Sequence, residues 1–313
     1  MRRFSAALHS TDVLVIAFWG FLSLICLALR IRIPLWWLII SANAAASMAL
    51  IALAYASQRT GSTVLRWIHD WSAFVLVLFT YKQLYFIIGP IHDYRDYDPL
   101  FISLDRLIFR VNPTQWIGGF ANPLLTELLQ IAYSSFYVLF IAVGLDLYRQ
   151  KDHSNFNYFR FTVVYGFFIS YLGYFALPAV GPRFTLHDFS KTDSELPGLF
   201  VAEPLRWFVN YFESIKPGMS NSVAIANAQR DVFPSGHTML TLMTIISAYR
   251  YRLEVRQYVL WVGIMLIVAT VYMRYHYAVD LLAGAILVVP CLLTSKKLYR
   301  ITEGPADSVT PAA

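Results

Sequence analysis

Eight apolar segments distributed along the chain constrain its fold more than any other feature of the sequence. They are 12–29, 35–55, 71–89, 125–146, 161–180, 237–250, 257–273 and 278–295. A helix needs about 20 mostly apolar residues to cross a bilayer, so we expect the last three segments, which are shorter, to draw on neighbouring polar residues. Only 14% of the residues are charged, whereas a soluble domain carries about a quarter. We therefore predict an all-α integral membrane protein with about eight transmembrane helices.

The basic residues between these segments predict an orientation. Lysine and arginine are concentrated at the two ends of the chain and in three short loops, 56–70, 147–160 and 250–257. Short basic loops stay in the cytoplasm, so we expect both termini on that side. Arg30 and Arg32, in the first turn on the opposite side, argue against this orientation. Anionic headgroups account for the net charge of +6, and we expect no nucleic-acid partner.

Two long connections, 90–124 and 181–236, lie on the side opposite the basic loops. The first contains an amphipathic stretch, Leu100 to Trp116, that we expect to lie in the membrane interface. The last residues of the chain are small and polar, which is typical of disorder. The predicted divisions are an N-terminal transmembrane hairpin at 1–60, a membrane core at 61–300 and a disordered tail at 301–313.

Polar motifs occur at the ends of the later apolar segments, all on one face of the membrane. Arg183 follows the fifth segment, and Pro234-Ser235-Gly236-His237 begins the sixth. Arg274 and His276 follow the seventh, and Asp280 opens the eighth. Because these residues come from the ends of consecutive spans, we expect them to meet at the extracytoplasmic rim.

The residue types at this rim suit a phosphate group. Ser235 and Gly236 precede a helix start, where unpaired backbone N–H groups and the helix dipole favour an anion. Arg183 offers a planar fork that fits phosphate oxygens, and Arg274 is a second candidate ligand. The alternative for both arginines is a role as anchors for lipid headgroups.

The spacing of His276 and Asp280 indicates a histidine held by a carboxylate. Four residues apart, they lie one turn apart on one helix face, so the carboxylate accepts a proton from one ring nitrogen and the other nitrogen is free to attack. The alternatives are that Asp280 caps the helix and that His237 and His276 are ordinary interfacial residues. So few clustered ligands, without a thiolate, disfavour a metal site, and we expect neither metal nor cofactor.

The Pro-Ser-Gly-His motif at 234–237 and the His-x-x-x-Asp motif at 276–280, with an upstream arginine, resemble the type 2 phosphatidic acid phosphatase superfamily over roughly residues 95–295. This resemblance implies a six-helix catalytic core formed by the third to eighth spans and a phosphohistidine mechanism without a metal. It also implies that His237 is the general acid, that His276 is the nucleophile and that Asp280 orients His276.

The chain departs from the family pattern at cationic positions. No lysine stands seven residues before Arg183, a proline precedes rather than follows this arginine, and Ala269 and Thr270 occupy the places of the family's Ser-Arg pair. These departures are similar to the inositol phosphorylceramide synthase branch. Two further segments resemble that branch, His276-Tyr277-Ala278-Val279-Asp280 and Tyr133-Ser134-Ser135-Phe136-Tyr137.

The resemblance implies a membrane lipid phosphotransferase. Such an enzyme moves an inositol phosphate-like headgroup from a phospholipid donor to a lipid hydroxyl, for example that of ceramide or diacylglycerol. A lipid phosphatase, with water as acceptor, uses the same residues and stays an alternative. A non-catalytic lipid transporter is a third hypothesis, although the inverted repeats typical of transporters are not evident. The roles of Lys82, within the third span, and Asp231, in the larger loop, stay open.

Overall fold

The computed structural model describes residues 7–216 and 218–303, and all regular structure in this part of the chain is helical. A short 3-10 turn, Phe189–Lys191, lies in the larger loop. The α-helices in chain order are α1 Ser10–Ala28, α2 Trp36–Thr60, α3 Thr63–Ile91, α4 Asp98–Phe109, α5 Pro113–Gly118, α6 Pro123–Ser134, α7 Phe136–Arg149, α8 His153–Ala176, α9 Pro182–Thr185, α10 Thr192–Glu195, α11 Ala202–Phe212, α12 Asn221–Asn227, α13 Gly236–Arg250, α14 Arg256–Tyr272 and α15 Ala278–Glu303. The predicted all-α fold class is confirmed.

Each of the eight predicted spans coincides with a helix or a pair of helices. Among the described residues, five helices have the length and apolar character to cross a membrane, namely α1, α2, α3, α8 and α15. A sixth span results if α6 and α7, bent by 52°, are taken as one. Helices α13 and α14, with 15 and 17 residues, fall short of the roughly 20 that a full crossing needs. The multi-pass membrane architecture is confirmed, with five or six candidate spans.

The bend between α6 and α7 falls at a pair of serines. The Ser135 hydroxyl donates a hydrogen bond of 2.7 Å to the carbonyl of Ala132, and its backbone N–H is bonded to the same turn. Serines that bond back to the preceding turn compete with the helical ladder and bend helices. The consequence is that α6 and α7 leave Ser135 in different directions.

One of the two units into which the chain divides is built from apolar helices with a few buried polar groups. It comprises Met1–Tyr94, Leu147–Ile169 and Cys291–Ala313. The Trp19 indole donates a hydrogen bond of 2.8 Å to the Thr80 hydroxyl. Arg160 is 1% exposed and donates to the carbonyl of Asp70 at 2.9 Å, as expected where a buried charge must be compensated. Lys82 belongs to this unit.

The other unit comprises Arg95–Asp146 and Ser170–Pro290 and contains every residue of the predicted site. The division at 1–60, 61–300 and 301–313 stays a prediction. Helix α15 continues to Glu303, so the predicted tail begins within this helix, and residues 304–313 lie outside the described part of the chain.

The predicted amphipathic stretch forms α4 and α5. Unexpectedly, α4 exposes apolar side chains and buries acidic ones. Leu107 and Ile108 are exposed, whereas Asp98 and Asp105 are buried. The two aspartates are seven residues apart and therefore lie on one face of the helix. An exposed apolar face fits an interfacial helix, which stays a prediction, and the buried carboxylates contact the loops of the site.

Candidate active site

The Pro-Ser-Gly-His segment forms the N-terminus of α13. Ser235 is the N-cap, and its hydroxyl accepts the N–H of Thr238 at 3.2 Å, the interaction that makes serine a favoured cap. A side chain on Gly236 would lie 2.8 Å from the hydroxyl oxygen of Tyr174, so glycine is required for this close approach. His237 therefore occupies the first turn of α13, next to the positive end of the helix dipole.

Two further glycines let neighbouring helices approach this segment closely. A Cβ at Gly173 of α8 would lie 2.1 Å from the ring of Pro234, and a Cβ at Gly284 of α15 would lie 2.5 Å from the carbonyl oxygen of Ser235. The latter neighbour is backbone, which cannot rotate away. The start of α13 is thus fixed against α15, the helix that carries Asp280.

We expect Gly284→Ala to destabilise the protein by about 1–3 kcal/mol, as overpacking does, and to lower activity by displacing Ser235 from Asp280. Gly20→Ala in α1 is the matched control, because nothing lies within 4 Å of its added Cβ. Thermal melts in detergent and turnover assays on both variants test this. A Gly284→Ala variant as stable and active as Gly20→Ala would contradict the close packing.

His276 lies in the turn between α14 and α15 and faces His237. The distance from His276 Nε2 to His237 Nδ1 is 3.3 Å, and the ring planes cross at 65°. The backbone N–H of His276 is bonded to the carbonyl of Thr270 at 3.0 Å. His276 is 3% exposed, so the predicted nucleophile and the predicted acid meet in a buried position.

Asp280 lies on the other side of the His276 ring. The distance from Asp280 Oδ2 to His276 Nδ1 is 3.5 Å, beyond the usual range for an N–H···O bond. The same oxygen accepts the N–H of Tyr277 at 2.8 Å, and the Asp280 carbonyl accepts the N–H of Ser235 at 3.0 Å. Asp280 therefore caps α15 and also faces His276, so the two interpretations made from the sequence are compatible.

The surroundings of His276 favour its neutral form. Burial lowers the pKa of His276 well below its ordinary value, and the charges of His237 and Arg183 lower it further, against a backbone hydrogen bond with Val232 that raises it. A neutral imidazole has a free lone pair on one ring nitrogen, as a nucleophile requires.

Arg183 lies at the start of α9 and is paired with a carboxylate. Its N–H bonds to the carbonyl of Arg274 at 3.0 Å, which brings the loops carrying the two arginines together. Its guanidinium forms an ion pair with Glu213 and donates to Asn210 at 3.1 Å. The guanidinium also lies 4.8 Å from the centre of the Tyr275 ring. The sequence predicted neither Glu213 nor Asn210 as a partner of Arg183.

Arg274 has a carboxylate partner as well. Its Nη1 lies 2.5 Å from Glu195 Oε2, and Glu195 is on the short helix α10 in the larger loop. Within the described residues, Nε of Arg183 and Nε of Arg274 are buried without a hydrogen-bond partner. Each arginine thus has one buried N–H donor without a protein acceptor.

Aromatic side chains from the bend between α6 and α7 pack on His237. The ring of Tyr133 stacks on it with a centroid distance of 4.9 Å, and the ring of Phe136 lies at 4.3 Å. Tyr133 also stacks on Tyr275 at 4.3 Å. These contacts restrict the orientation of the His237 ring. The segment was noted in the sequence only for its resemblance to one branch of the family.

The two buried aspartates of α4 hold the loops of the site in place. Asp98 accepts hydrogen bonds from the N–H of Gly181 at 2.8 Å and from the hydroxyl of Tyr277 at 2.7 Å. Asp105 accepts the first two N–H groups of α15 at 3.0 and 2.8 Å. The signal available in the sequence was the seven-residue spacing of two acids in an apolar stretch.

Asp231 is half-buried in the same unit, and its charge acts on Tyr133.

Comparisons with known proteins agree with the family indicated by the motifs. The model of the PAP2 superfamily matches residues 101–293, more than half of the chain. A PA-phosphatase related-family protein of Dictyostelium discoideum is 27% identical over 206 residues, which are 58% of this chain and 33% of that protein. The chain therefore spans about a third of the length of this curated relative. No solved structure matches the chain.

The family match confirms the predicted superfamily, while the inositol phosphorylceramide synthase-like branch stays a prediction. With its two histidine motifs inside the matched region, this chain belongs to the PAP2 superfamily.

Proposed function

We propose that this protein is a membrane lipid phosphotransferase that moves a phosphorylated, inositol phosphate-like headgroup from a phospholipid donor to a lipid hydroxyl. The observation that supports the chemistry best is the pair of facing imidazoles, 3.3 Å apart, with Asp280 on the far side of His276. Covalent catalysis needs a nucleophile, a group that orients it and an acid that protonates the leaving group. His276, Asp280 and His237 have these three roles in the proposal.

The reaction proceeds in two steps. Nε2 of His276 attacks phosphorus, the bond from phosphorus to the lipid oxygen breaks, and His237 protonates that oxygen as it leaves. The acceptor hydroxyl then gives its proton to His237 and attacks phosphorus, and the bond from phosphorus to His276 breaks. Asp280 stabilises the positive charge on His276 while the phosphohistidine exists. In this mechanism the phosphoryl group lies between the two imidazole rings, and their direct contact is lost.

The anion site in this proposal consists of Arg183, Arg274 and the start of α13 at Ser235 and Gly236. The last turn of α14 supplies no cation, because Thr270 stands where the family's phosphatases have arginine, and it is buried. A site with few cations binds a singly charged phosphodiester with less penalty than a doubly charged phosphomonoester. This supports a phospholipid donor, with ceramide or diacylglycerol as acceptor, over a lipid phosphate substrate with water as acceptor.

The test is purified protein in detergent, incubated with a phospholipid that is isotopically labelled in its phosphate, with and without ceramide or diacylglycerol. Label on the acceptor lipid, read by mass spectrometry, supports the transferase. Label released to water regardless of the acceptor supports the phosphatase instead. Donor that stays intact under every condition would contradict both functions.

The proposal also places the site on the extracytoplasmic face, with both termini in the cytoplasm. After replacing Cys26 and Cys291 by alanine, we expect a membrane-impermeant thiol reagent on intact cells to label Ser190→Cys and to spare Ser154→Cys. Both positions are exposed, so access to the reagent depends on the side of the membrane. Labelling of position 154 alone would indicate the opposite orientation, in which the donor comes from the cytoplasmic leaflet.

We expect Asp280→Asn to keep the fold and to lower turnover by about 100- to 10,000-fold. Asparagine retains an oxygen for the N–H of Tyr277, so the start of α15 stays capped. It carries no charge to stabilise a cationic His276 and allows the wrong tautomer. A thermal melt beside the assay separates loss of stability from loss of catalysis. Near-native turnover with an unchanged melting temperature would show that Asp280 only caps the helix.

A further inference from the structure

The ion pair between Arg183 and Glu213 is unusual for an arginine expected to bind phosphate. Both side chains are largely buried, with 6% and 12% of their surfaces exposed. An exposed carboxylate would move away when an anion arrives, but one buried against its partner stays part of the site. Any phosphate at Arg183 therefore meets a guanidinium whose charge Glu213 already offsets.

Glu213 is held where it is by the structure of the larger loop. It is the C-cap of α11, and its N–H bonds to the carbonyl of Asn210 at 3.0 Å. The start of α11 is fixed as well, because Glu127 of α6 accepts the N–H groups of Leu199 at 2.8 Å and Val201 at 2.6 Å. The pair is thus a fixed element of the site.

The charges of this ion pair act on groups next to and within the histidine pair. The charge of Glu213 acts on Tyr133, whose ring stacks on His237, while the charge of Arg183 acts on His276. Arg274 has a more exposed partner, because the side chain of Glu195 is 42% exposed. Water screens an exposed charge much more than a buried one. Of the two carboxylates paired with the arginines, Glu213 is therefore the one whose charge is screened less.

We propose that Glu213 is a specificity-determining residue that disfavours doubly charged phosphomonoesters and thereby selects singly charged phosphodiesters. This inference rests on the proposed function. A negative charge near the site repels a dianion about twice as strongly as a monoanion, since the interaction is proportional to the product of the charges. The discrimination comes from repulsion of the wrong substrate, a common route to specificity.

A purely positioning role for Glu213 is the competing explanation, and three variants separate the two. Glu213→Gln keeps a hydrogen-bond acceptor for Arg183 and removes the charge. Glu213→Asp keeps the charge, and Glu213→Ala removes both. Glu203→Gln is the matched control, because Glu203 is an exposed glutamate on the same helix. Thermal melts establish that each variant is folded.

The probes are para-nitrophenyl phosphate and methyl para-nitrophenyl phosphate, which share a leaving group and differ by one charge. We expect Glu213→Gln to raise the ratio of monoester to diester kcat/KM by about tenfold or more, with the ratio unchanged in Glu213→Asp and Glu203→Gln. The inference would be overturned if Glu213→Gln left the ratio unchanged and Glu213→Ala lowered the monoester and diester activities together. Glu213 would then only position Arg183. A wild-type enzyme that cleaves neither probe nor the labelled phospholipid contradicts the proposed function itself, and this inference with it.

Discussion

Replacing His276 with alanine is expected to lower turnover by about 10⁵- to 10⁶-fold, the loss typical when a covalent enzyme loses its nucleophile. In the proposed mechanism the variant lacks the atom that bonds to phosphorus, and His237, the neighbouring imidazole, is assigned to proton transfer. The side chain is buried in the turn between α14 and α15. The Arg274 carbonyl of this turn accepts the N–H of Arg183, and Asp105 accepts the first two N–H groups of α15. We therefore expect the fold to survive the change.

The measurement combines turnover with trapping of the intermediate. Wild-type protein, quenched during reaction with a phosphorus-labelled donor, should carry label on the peptide that contains His276, and His276→Ala should carry none. His153→Ala, an exposed histidine at the start of α8, is the control and should behave as wild type. Label on another residue, or unchanged turnover in His276→Ala, would remove the nucleophile assignment.

The parts of the site that lie at helix ends were predictable from the sequence. The apolar runs place both ends of α13 and α14 and the start of α15 to within a residue, and a cap such as Ser235 marks a helix start locally. His237, His276 and Asp280 belong to these ends, and the structure brings the three together as expected. Local signals were sufficient here because each residue is positioned by the helix it starts or follows.

The partners supplied by loops were not predictable in the same way. Glu213 lies 30 residues from Arg183, at the end of an amphipathic helix of the larger loop, and nothing local indicates that they meet. Asp98 and Asp105 lie in an amphipathic stretch, where acids usually face water, so their burial was not expected. Their burial depends on the unpaired N–H groups of two other segments, which is tertiary information.

Replacing His237 with alanine is the second large effect that we expect, a loss of about 100- to 10,000-fold on the lipid donor. A lipid alkoxide is a poor leaving group and needs a proton as its bond to phosphorus breaks. In the proposed mechanism His237 gives that proton, since it is the imidazole that faces His276, with its Nδ1 3.3 Å from His276 Nε2. Tyr133 and Phe136 hold its ring in this orientation.

A donor with a nitrophenol leaving group separates this role from a structural one. Nitrophenolate leaves without a proton, so formation of the phosphohistidine should lose much less rate on this donor than on the lipid. The alanine variant should also accumulate phosphohistidine with the nitrophenyl donor, because transfer to an alcohol needs His237 as the base that takes the hydroxyl proton. Equal losses on the two donors, without accumulation of the intermediate, would show that His237 supports the position of His276 and moves no proton.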